Sequence, residues 1–217
     1  MTNTHNTAPT QFINANGVRY AYRWFGATSG TPVVFLQHFR GGLDNWDPKV
    51  TDGLAKDRPV ILFNNAGVAN SGGEPSNTVS GMAEHVIAFV NALGLTQIDL
   101  LGFSLGGFVA QEVALQSPDL IRRVILAGTG PQGGEGMDSV KPKVAEHATQ
   151  ETPVVDNFLY LFFAPSETSQ AAPDGLSGNV VTIVLTRMSR LRWRLWGRRQ
   201  MLSPAGAWFP KRTAMAN

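Results

Sequence analysis

The chain has 217 residues, of which 43% are hydrophobic and 16% charged, enough to bury a core and too apolar for disorder throughout. It has no cysteine, which excludes a disulfide framework, a thiolate metal site and a cysteine nucleophile. The net charge of +2 is the balance of two different parts. Residues 1–173 carry 10 basic and 15 acidic residues, whereas residues 174–217 carry eight basic residues and one acid, Asp174.

The first residues are polar and contain neither the basic region nor the apolar region of a signal peptide. No apolar run approaches the roughly 20 residues that cross a bilayer. We therefore expect a cytoplasmic protein with no membrane partner.

The first 130 residues contain an edge hairpin and four short apolar runs. The alternating stretch Val18–Phe25 follows Asn16-Gly17 and predicts an antiparallel hairpin. The four runs lack alternation, which predicts strands buried on both faces. They are Val33–Leu36, Val60–Phe63, Ile98–Leu101 and Val124–Ala127.

Segments with helical periodicity lie between these runs. Thr78–Leu93 has apolar residues every three or four positions and is followed by Gly94, a helix-ending signal. Leu105–Gln116 carries a second apolar stripe, and Pro118 ends it. Strands alternating with helices predict an α/β fold with a mainly parallel, doubly wound sheet.

Beyond Thr129 the pattern weakens. Gly130–Gly136 predicts a loop, and two helical stretches follow near Ser139–Thr149 and Val154–Phe163. The second stretch is rich in Phe and Leu, so we expect it to cover another part of the protein.

The most specific motif is Gly102-Phe103-Ser104-Leu105-Gly106-Gly107, a G-x-S-x-G between a predicted strand and a predicted helix. So tight a turn strains the serine backbone and leaves no room for side chains two positions away. It presents the Ser104 hydroxyl as a nucleophile at the carboxyl end of the sheet. The Leu105 N–H, at the helix N-terminus, then faces a developing oxyanion.

Two further loops follow strands and should reach the same edge of the sheet. Gln37-His38-Phe39-Arg40-Gly41-Gly42 offers backbone N–H groups for a second oxyanion donor, although a plain turn explains it as well. Asn64–Ser71 we interpret as a structural turn.

Together, the hairpin, the His-containing loop, the Asn/Gly loop and the serine turn resemble the α/β-hydrolase fold family over residues 12–165. The resemblance is closest to small cofactor-free esterases, lactonases and perhydrolases, and it implies neither cofactor nor metal. It also implies that the second oxyanion donor is Arg40, or Phe39, which stands at the usual glycine position. It further implies that residues 137–163 begin a helical cap over the active site.

The chain departs from the family in lacking a histidine at the position of the general base. The resemblance implies an acid and then a histidine after later strands, but the four histidines are His5, His38, His85 and His147. We expect His5 in a mobile terminus, His38 in a structural role, His85 near the wet face of its helix and His147 in the cap. Glu135 and Asp138 occupy one position the family uses for its acid, yet without a histidine they read as loop carboxylates.

The basic end of the chain has three explanations. A reading-frame change near residues 171–174 replaces the family's acid and histidine, or the chain is a truncated binding module, or the arginines and tryptophans bind nucleic acid or membrane. Val180–Leu185 still has the composition of a strand, but no acid follows it.

We thus divide the chain into a hydrolase core at 1–136, a partial cap at 137–172 and an atypical basic tail at 173–217. The expected function is a serine hydrolase of small esters, lactones or related acyl compounds, impaired by loss of its acid and histidine. The alternative is an inactive binding protein of the same fold. A small-molecule substrate, no nucleic acid, and self-association through an exposed sheet edge are the partner predictions.

Overall fold

The computed structural model of the chain describes residues 3–39, 41–134, 141–149 and 155–169. The chain divides into two compact units, Met1–Gln132 and Gly133–Asn217. The tail from residue 170 onward, including Val180–Leu185, lies outside the described residues, as do Arg40, Glu135 and Asp138.

The first unit contains six strands and three α-helices. The strands are β1 (Gln11–Ala15), β2 (Val18–Gly26), β3 (Val33–Leu36), β4 (Pro59–Phe63), β5 (Ile98–Phe103) and β6 (Ile121–Ala127). The helices are α1 (Pro48–Ala55), α2 (Val79–Ala92) and α3 (Leu105–Gln116), with 3₁₀ turns at Leu43–Asn45 and Pro118–Leu120.

The strands form one sheet in the order β1-β2-β4-β3-β5-β6. β4, β3, β5 and β6 pair in parallel, whereas β1 and β2 pair antiparallel to each other and β2 pairs antiparallel to β4. Asn16 and Gly17 both have positive φ (48° and 76°), as a two-residue hairpin turn requires. The predicted hairpin and mainly parallel α/β sheet are confirmed.

The central strands are buried along their whole length, as their unbroken apolar composition predicts. Every residue of β3 and β4 is buried, as are the first five of β5. Phe35, Leu62 and Leu101 belong to the core cluster beneath α1, against which Trp46 packs.

Strand β6 contradicts the expectation of burial on both faces. Val124, Ile125 and Leu126 are 36%, 44% and 48% exposed. Successive side chains of a strand point to opposite faces, so both faces of β6 are partly uncovered. The apolar pattern predicts a strand correctly, but it does not report which elements pack against it.

The two helices predicted in the first unit are confirmed as α2 and α3, and the predicted end signals lie at their ends. The Thr78 hydroxyl accepts a 3.0 Å hydrogen bond from the Gly81 N–H and caps α2. Gly94, with φ +71°, follows the last turn of that helix.

The second unit holds the two predicted helical stretches, as α4 (Pro142–Thr149) and α5 (Val155–Phe162). The His147 ring stacks on Tyr160, 4.1 Å between centroids. Tyr160 and Phe162 are 41% and 59% exposed. Among the described residues, no helix has both the length and the apolarity needed to cross a membrane.

The N-terminal segment differs from the mobile terminus that we expected around His5. The His5 side chain is fully buried, its Nδ1 lies 2.9 Å from Thr51 Oγ1, and its backbone N–H donates to Asp52 Oδ1 at 2.7 Å. The segment is fastened to α1, whose residues are more than 40 positions away, so local sequence carried no sign of it.

Candidate active site

Ser104 lies in the turn between β5 and α3 with φ 53° and ψ −118°, a conformation that is strained for a residue with a side chain. A Cβ on Gly102 would lie 2.7 Å from Gly107 Cα, and one on Gly106 would lie 2.8 Å from Gln37 O. Glycine is therefore required on both sides of the serine for steric reasons. The strand, strained serine and helix follow one another as the motif predicts.

The Leu105 N–H is the first helical N–H of the 12-residue α3, so helix geometry gives it no acceptor within the helix. It lies beside the positive end of the helix dipole, where developing negative charge is stabilised. Its role as oxyanion donor stays a prediction that this position supports.

The His-containing loop follows β3, the strand that pairs with β5, so it lies at the same edge of the sheet as Ser104. The His38 N–H donates to Gln37 Oε1 at 2.8 Å, and the Gly41 N–H donates to His38 O at 3.0 Å. The His38 ring meets Phe103 edge-on at 5.5 Å between centroids. His38 thus packs beside the residue that precedes Ser104.

Burial lowers the pKa of His38, and its hydrogen bond to the Phe39 carbonyl opposes that effect. Nδ1 lies 2.5 Å from this carbonyl oxygen. A carbonyl only accepts, so Nδ1 carries the proton of the neutral ring and Nε2 is left as an acceptor. The lowered pKa of His38 favours the neutral ring. Phe39 is among the described residues and Arg40 is not, so the choice between them as second oxyanion donor stays a prediction.

The Asn/Gly loop after β4, residues 64–71, is hydrogen-bonded to the 3₁₀ turn and to β2. Asn64 is 2% exposed, and its Oδ1 accepts from the Leu43 N–H at 2.7 Å. The Ser71 hydroxyl donates to Asn64 O at 2.8 Å and accepts from the Ala21 N–H at 2.9 Å. These contacts support the interpretation of Asn64–Ser71 as a structural turn.

Four buried polar side-chain atoms at this edge have no hydrogen-bond partner among the described residues. They are Gln37 Nε2, Asn45 Nδ2, Asn65 Oδ1 and Thr129 Oγ1. Gln37, Asn65 and Thr129 lie within two residues of the ends of β3, β4 and β6. Unsatisfied buried groups are rare in proteins and concentrate at sites that bind water or ligands. They mark this edge as the candidate site.

All four histidines lie in the described part of the chain, and none of the three in the first unit is hydrogen-bonded to Ser104. His5 contacts Thr51, and Nδ1 of His85 lies 2.6 Å from the Tyr20 hydroxyl. His147 lies in the second unit. Glu135 and Asp138 fall outside the described residues.

His85 is half-buried, between the buried and the exposed face of α2. Burial lowers its pKa, against the opposing charge of Glu84, and burial raises the pKa of Tyr20 to about 12. The hydroxyl is thus protonated at neutral pH and joins α2 to β2. Sequence reasoning gave this histidine no partner, because Tyr20 is 65 residues away.

Within the described ranges, no three carboxylate or histidine side chains come together as a metal site would require.

Sequence reasoning missed two long-range contacts, Arg23 with Asp44 and Asn64 with Leu43, which join the 3₁₀ turn after the His-containing loop to β2 and to the Asn/Gly loop. A faint signal existed for Asn64, since a polar residue directly after a wholly apolar strand lies at the carboxyl edge of the sheet.

Comparison with known proteins agrees with this geometry. The family model described as "alpha/beta hydrolase fold" matches residues 31–167. A putative carbamate hydrolase RutD of Rhizobium rhizogenes is 28% identical over 136 residues, covering 60% of this chain and 51% of the relative. Human 1-acylglycerol-3-phosphate O-acyltransferase ABHD5 is 30% identical over 128 residues, covering 57% of this chain and 36% of the relative.

Solved structures show the same fold. An alpha/beta hydrolase fold protein from Chitinophaga pinensis matches with a TM-score of 0.76 at 41% identity, covering 85% of this chain and 66% of its own. Est816, titled an N-acyl homoserine lactone degrading enzyme, matches with a TM-score of 0.61 at 23% identity, covering 82% of this chain and 65% of its own. The chain thus spans about half the length of the first curated relative and just under two thirds of these two structures.

Proposed function

The chain belongs to the α/β-hydrolase fold family, and on that premise we propose that it is a serine hydrolase of small esters, lactones or related acyl compounds. Ser104 is the proposed nucleophile. The proposed oxyanion donors are the N–H of Leu105 and that of Arg40 or Phe39. The proposal assigns a small-molecule substrate and no nucleic acid or membrane partner, and cytoplasmic location stays a prediction of the sequence.

The observation that carries the proposal is the strained backbone of Ser104, at φ 53°, where β5 meets α3. Such a conformation persists only when the surrounding structure enforces it, and it concentrates at active sites. The turn raises the side chain above the sheet edge and places it beside the helix N-terminus.

The chemistry follows from this position. Ser104 Oγ bonds to the acyl carbon as its proton passes to a base, and the carbonyl oxygen takes up negative charge facing the Leu105 N–H. Collapse of this intermediate breaks the bond to the leaving group, which departs with a proton. Water then hydrolyses the acyl-serine and restores the hydroxyl.

The first unit offers no base for Ser104, since none of its three histidines, His5, His38 and His85, is hydrogen-bonded to the serine. Loss of a triad member leaves roughly 10³–10⁴-fold acceleration over water, from the oxyanion hole and binding alone. We therefore propose that this chain acylates and turns over slowly.

The substrate class has support from one relative. The putative carbamate hydrolase in Rhizobium rhizogenes would act on a carbamate, which is also an acyl compound. This agrees with a small acyl substrate and does not choose among esters, lactones and carbamates.

A fluorophosphonate probe tests the proposal, because it bonds covalently to an activated serine. We expect intact-mass and peptide mass spectrometry to find label on Ser104 and none on a Ser104→Ala variant. Ser80→Ala is the matched control, since Ser80 is exposed on α2, and it should label like the wild type. A folded wild-type chain without label at Ser104 contradicts the proposal.

The second candidate is a binding protein that keeps the site without the chemistry. The observation that favours it is that, among the described residues of the first unit, no histidine is hydrogen-bonded to Ser104. It predicts no label on the serine, together with saturable binding of an uncleaved ester by calorimetry. Label on Ser104 contradicts it.

A further inference from the structure

Arg23 on β2 joins three parts of the first unit. Its Nη1 lies 2.8 Å from Asp44 Oδ1 and donates to His5 O at 3.3 Å, while its Nε donates to Thr10 Oγ1 at 3.3 Å. The side chain is 16% exposed. Asp44 is more exposed, at 42%, so the ion pair is partly screened by water, and the position of the guanidinium is fixed by its three acceptors together.

Asp44 lies in the 3₁₀ turn that directly follows the His-containing loop, residues 37–42. The turn is anchored twice more, by the Gly42 N–H donating to Asn45 Oδ1 at 2.8 Å and the Leu43 N–H donating to Asn64 Oδ1 at 2.7 Å. At its other end the loop begins directly after β3, which is an interior strand of the sheet between β4 and β5. The backbone between these anchors carries Phe39, a candidate oxyanion donor, so the position of Phe39 depends on where Asp44 is held.

The N-terminal segment, residues 3–10, supports Arg23 from the other side. It supplies two of the three acceptors and is itself fastened to α1 through His5, with Asp52 and Thr51 as partners. Ala8 of the segment is 5% exposed and packs into the core cluster. The segment, Arg23 and Asp44 thus form a continuous chain of contacts that ends at the loop.

We propose that Arg23 is a positioning residue for the active site: through Asp44 it holds the described part of the His-containing loop, residues 37–39 and 41–42, in the geometry that oxyanion stabilisation needs, and residues 3–10 hold Arg23. The proposal rests on the proposed function, because the loop matters only if Ser104 is acylated. A misplacement of about 1 Å in such a site costs on the order of 100-fold in rate.

An arginine suits this role better than a lysine. The planar guanidinium directs Nε and Nη1 at separate acceptors at once, whereas an ammonium is a single point of charge on a flexible stem. Arg23→Lys should therefore keep the ion pair with Asp44 and lose part of the geometry.

The experiment compares Arg23→Gln, Arg23→Lys and Asp44→Asn with a matched control, Arg19→Gln. Arg19 lies on the same strand, and its guanidinium stacks on Phe12 at 3.6 Å. Two quantities are measured on each folded protein: the rate of fluorophosphonate labelling at Ser104, and hydrogen exchange of the amides from Gly41 to Asn45.

We expect Arg23→Gln and Asp44→Asn each to slow labelling by roughly 10- to 100-fold and to speed exchange in the loop. Arg23→Lys should fall between them and the wild type, and Arg19→Gln should match the wild type. The double variant Arg23→Gln/Asp44→Asn should be no slower than the worse single variant, because both remove the same contact. Asp44 is 42% exposed, so its variant tests the contact even if Arg23→Gln does not fold.

The proposal is overturned if Asp44→Asn labels at the wild-type rate, or if loop exchange is unchanged in the folded variants. A lower melting temperature with unchanged labelling also overturns it, since that is the result of a merely structural contact. An unlabelled wild-type chain contradicts the proposed function instead, and the exchange measurement then decides by itself whether Arg23 holds the loop.

Discussion

At the scale of single residues, Ser104 is held in a conformation that costs on the order of 1–3 kcal/mol. Two backbone hydrogen bonds offset part of that cost: the Ser104 N–H donates to Ala127 O and the Gly107 N–H donates to Ser104 O, both at 2.9 Å. The first bond reaches the end of β6. The backbone geometry of Ser104 thus depends on the neighbouring strand as well as on its own turn.

The glycines beside Ser104 give a prediction about stability. Gly102→Ala should destabilise the protein by about 3 kcal/mol, because the new Cβ would lie 2.7 Å from Gly107 Cα, a backbone atom that cannot rotate away. Urea denaturation followed by circular dichroism measures the change. The control is Gly53→Ala, since Gly53 lies in helix α1 with nothing within 4 Å of a Cβ. It should be neutral or stabilising by up to about 1 kcal/mol, and equal losses in the two variants would contradict the steric argument.

At the scale of elements, one carboxylate joins the amino ends of three strands. Asp99 on β5 is 1% exposed and contacts Arg58, which precedes β4, at 3.0 Å and Arg122 on β6 at 2.6 Å. This cluster lies at the opposite end of β5 from Ser104. It orders the strands whose other ends form the candidate site.

The Asp99 cluster predicts a pH-dependent contribution to stability. The Arg122 hydrogen bond lowers the pKa of Asp99, burial opposes it, and the charges of Arg122, Arg58 and Arg123 lower it further. A lowered pKa means that the folded state favours the carboxylate. Its stabilisation is therefore present above the unfolded-state pKa of about 3.9 and is lost as pH falls through the lower folded-state value.

We expect Asp99→Asn to cost about 2 kcal/mol in the free energy of unfolding at pH 7, as loss of hydrogen bonds to charged groups does. The difference from the wild type should shrink as the pH is lowered below 4. Denaturant titrations at pH 7 and pH 3 measure both values. A difference that is the same at both pH values would show that the charge of Asp99 is not what matters.

At the scale of the whole molecule, the described sheet ends in a strand with apolar side chains exposed on both faces. Edge strands with exposed apolar residues tend to pair with other chains. The exposure of Val124, Ile125 and Leu126 supports the prediction of self-association through this edge. It stays a prediction, because the structure is of one chain.

Ile125→Lys tests that prediction. Ile125 is 44% exposed, so the change should alter the free energy of unfolding by less than about 1 kcal/mol. The comparison variant is Ile61→Ala, at a fully buried position of β4, which should lower the free energy of unfolding by about 2–5 kcal/mol. A charge on the edge should also weaken self-association, measured by sedimentation velocity over a range of concentrations. A wild-type chain that stays monomeric throughout that range would show the prediction to be wrong.

The sequence by itself determined the parallel α/β core and the turn that carries Ser104. Unbroken apolar runs, helical periodicity and the glycines around Ser104 are local patterns with local physical causes, namely strand burial, helix geometry and the steric limits of a tight turn. The structure confirms the strands, the helices and the turn, although β6 is not buried on both faces. The helices of the second unit were found in the same way.

Only the tertiary structure decided which residues hold that turn and its neighbouring loop in place. The burial of His5, the contact of Arg23 with Asp44 and the exposure of β6 depend on residues far apart in the chain, or on whether anything packs against a strand at all. Side-chain type and periodicity describe what a segment can form, but they do not encode its partner. The turn that carries the proposed nucleophile was therefore predictable from the sequence, whereas the long-range contacts around it were not.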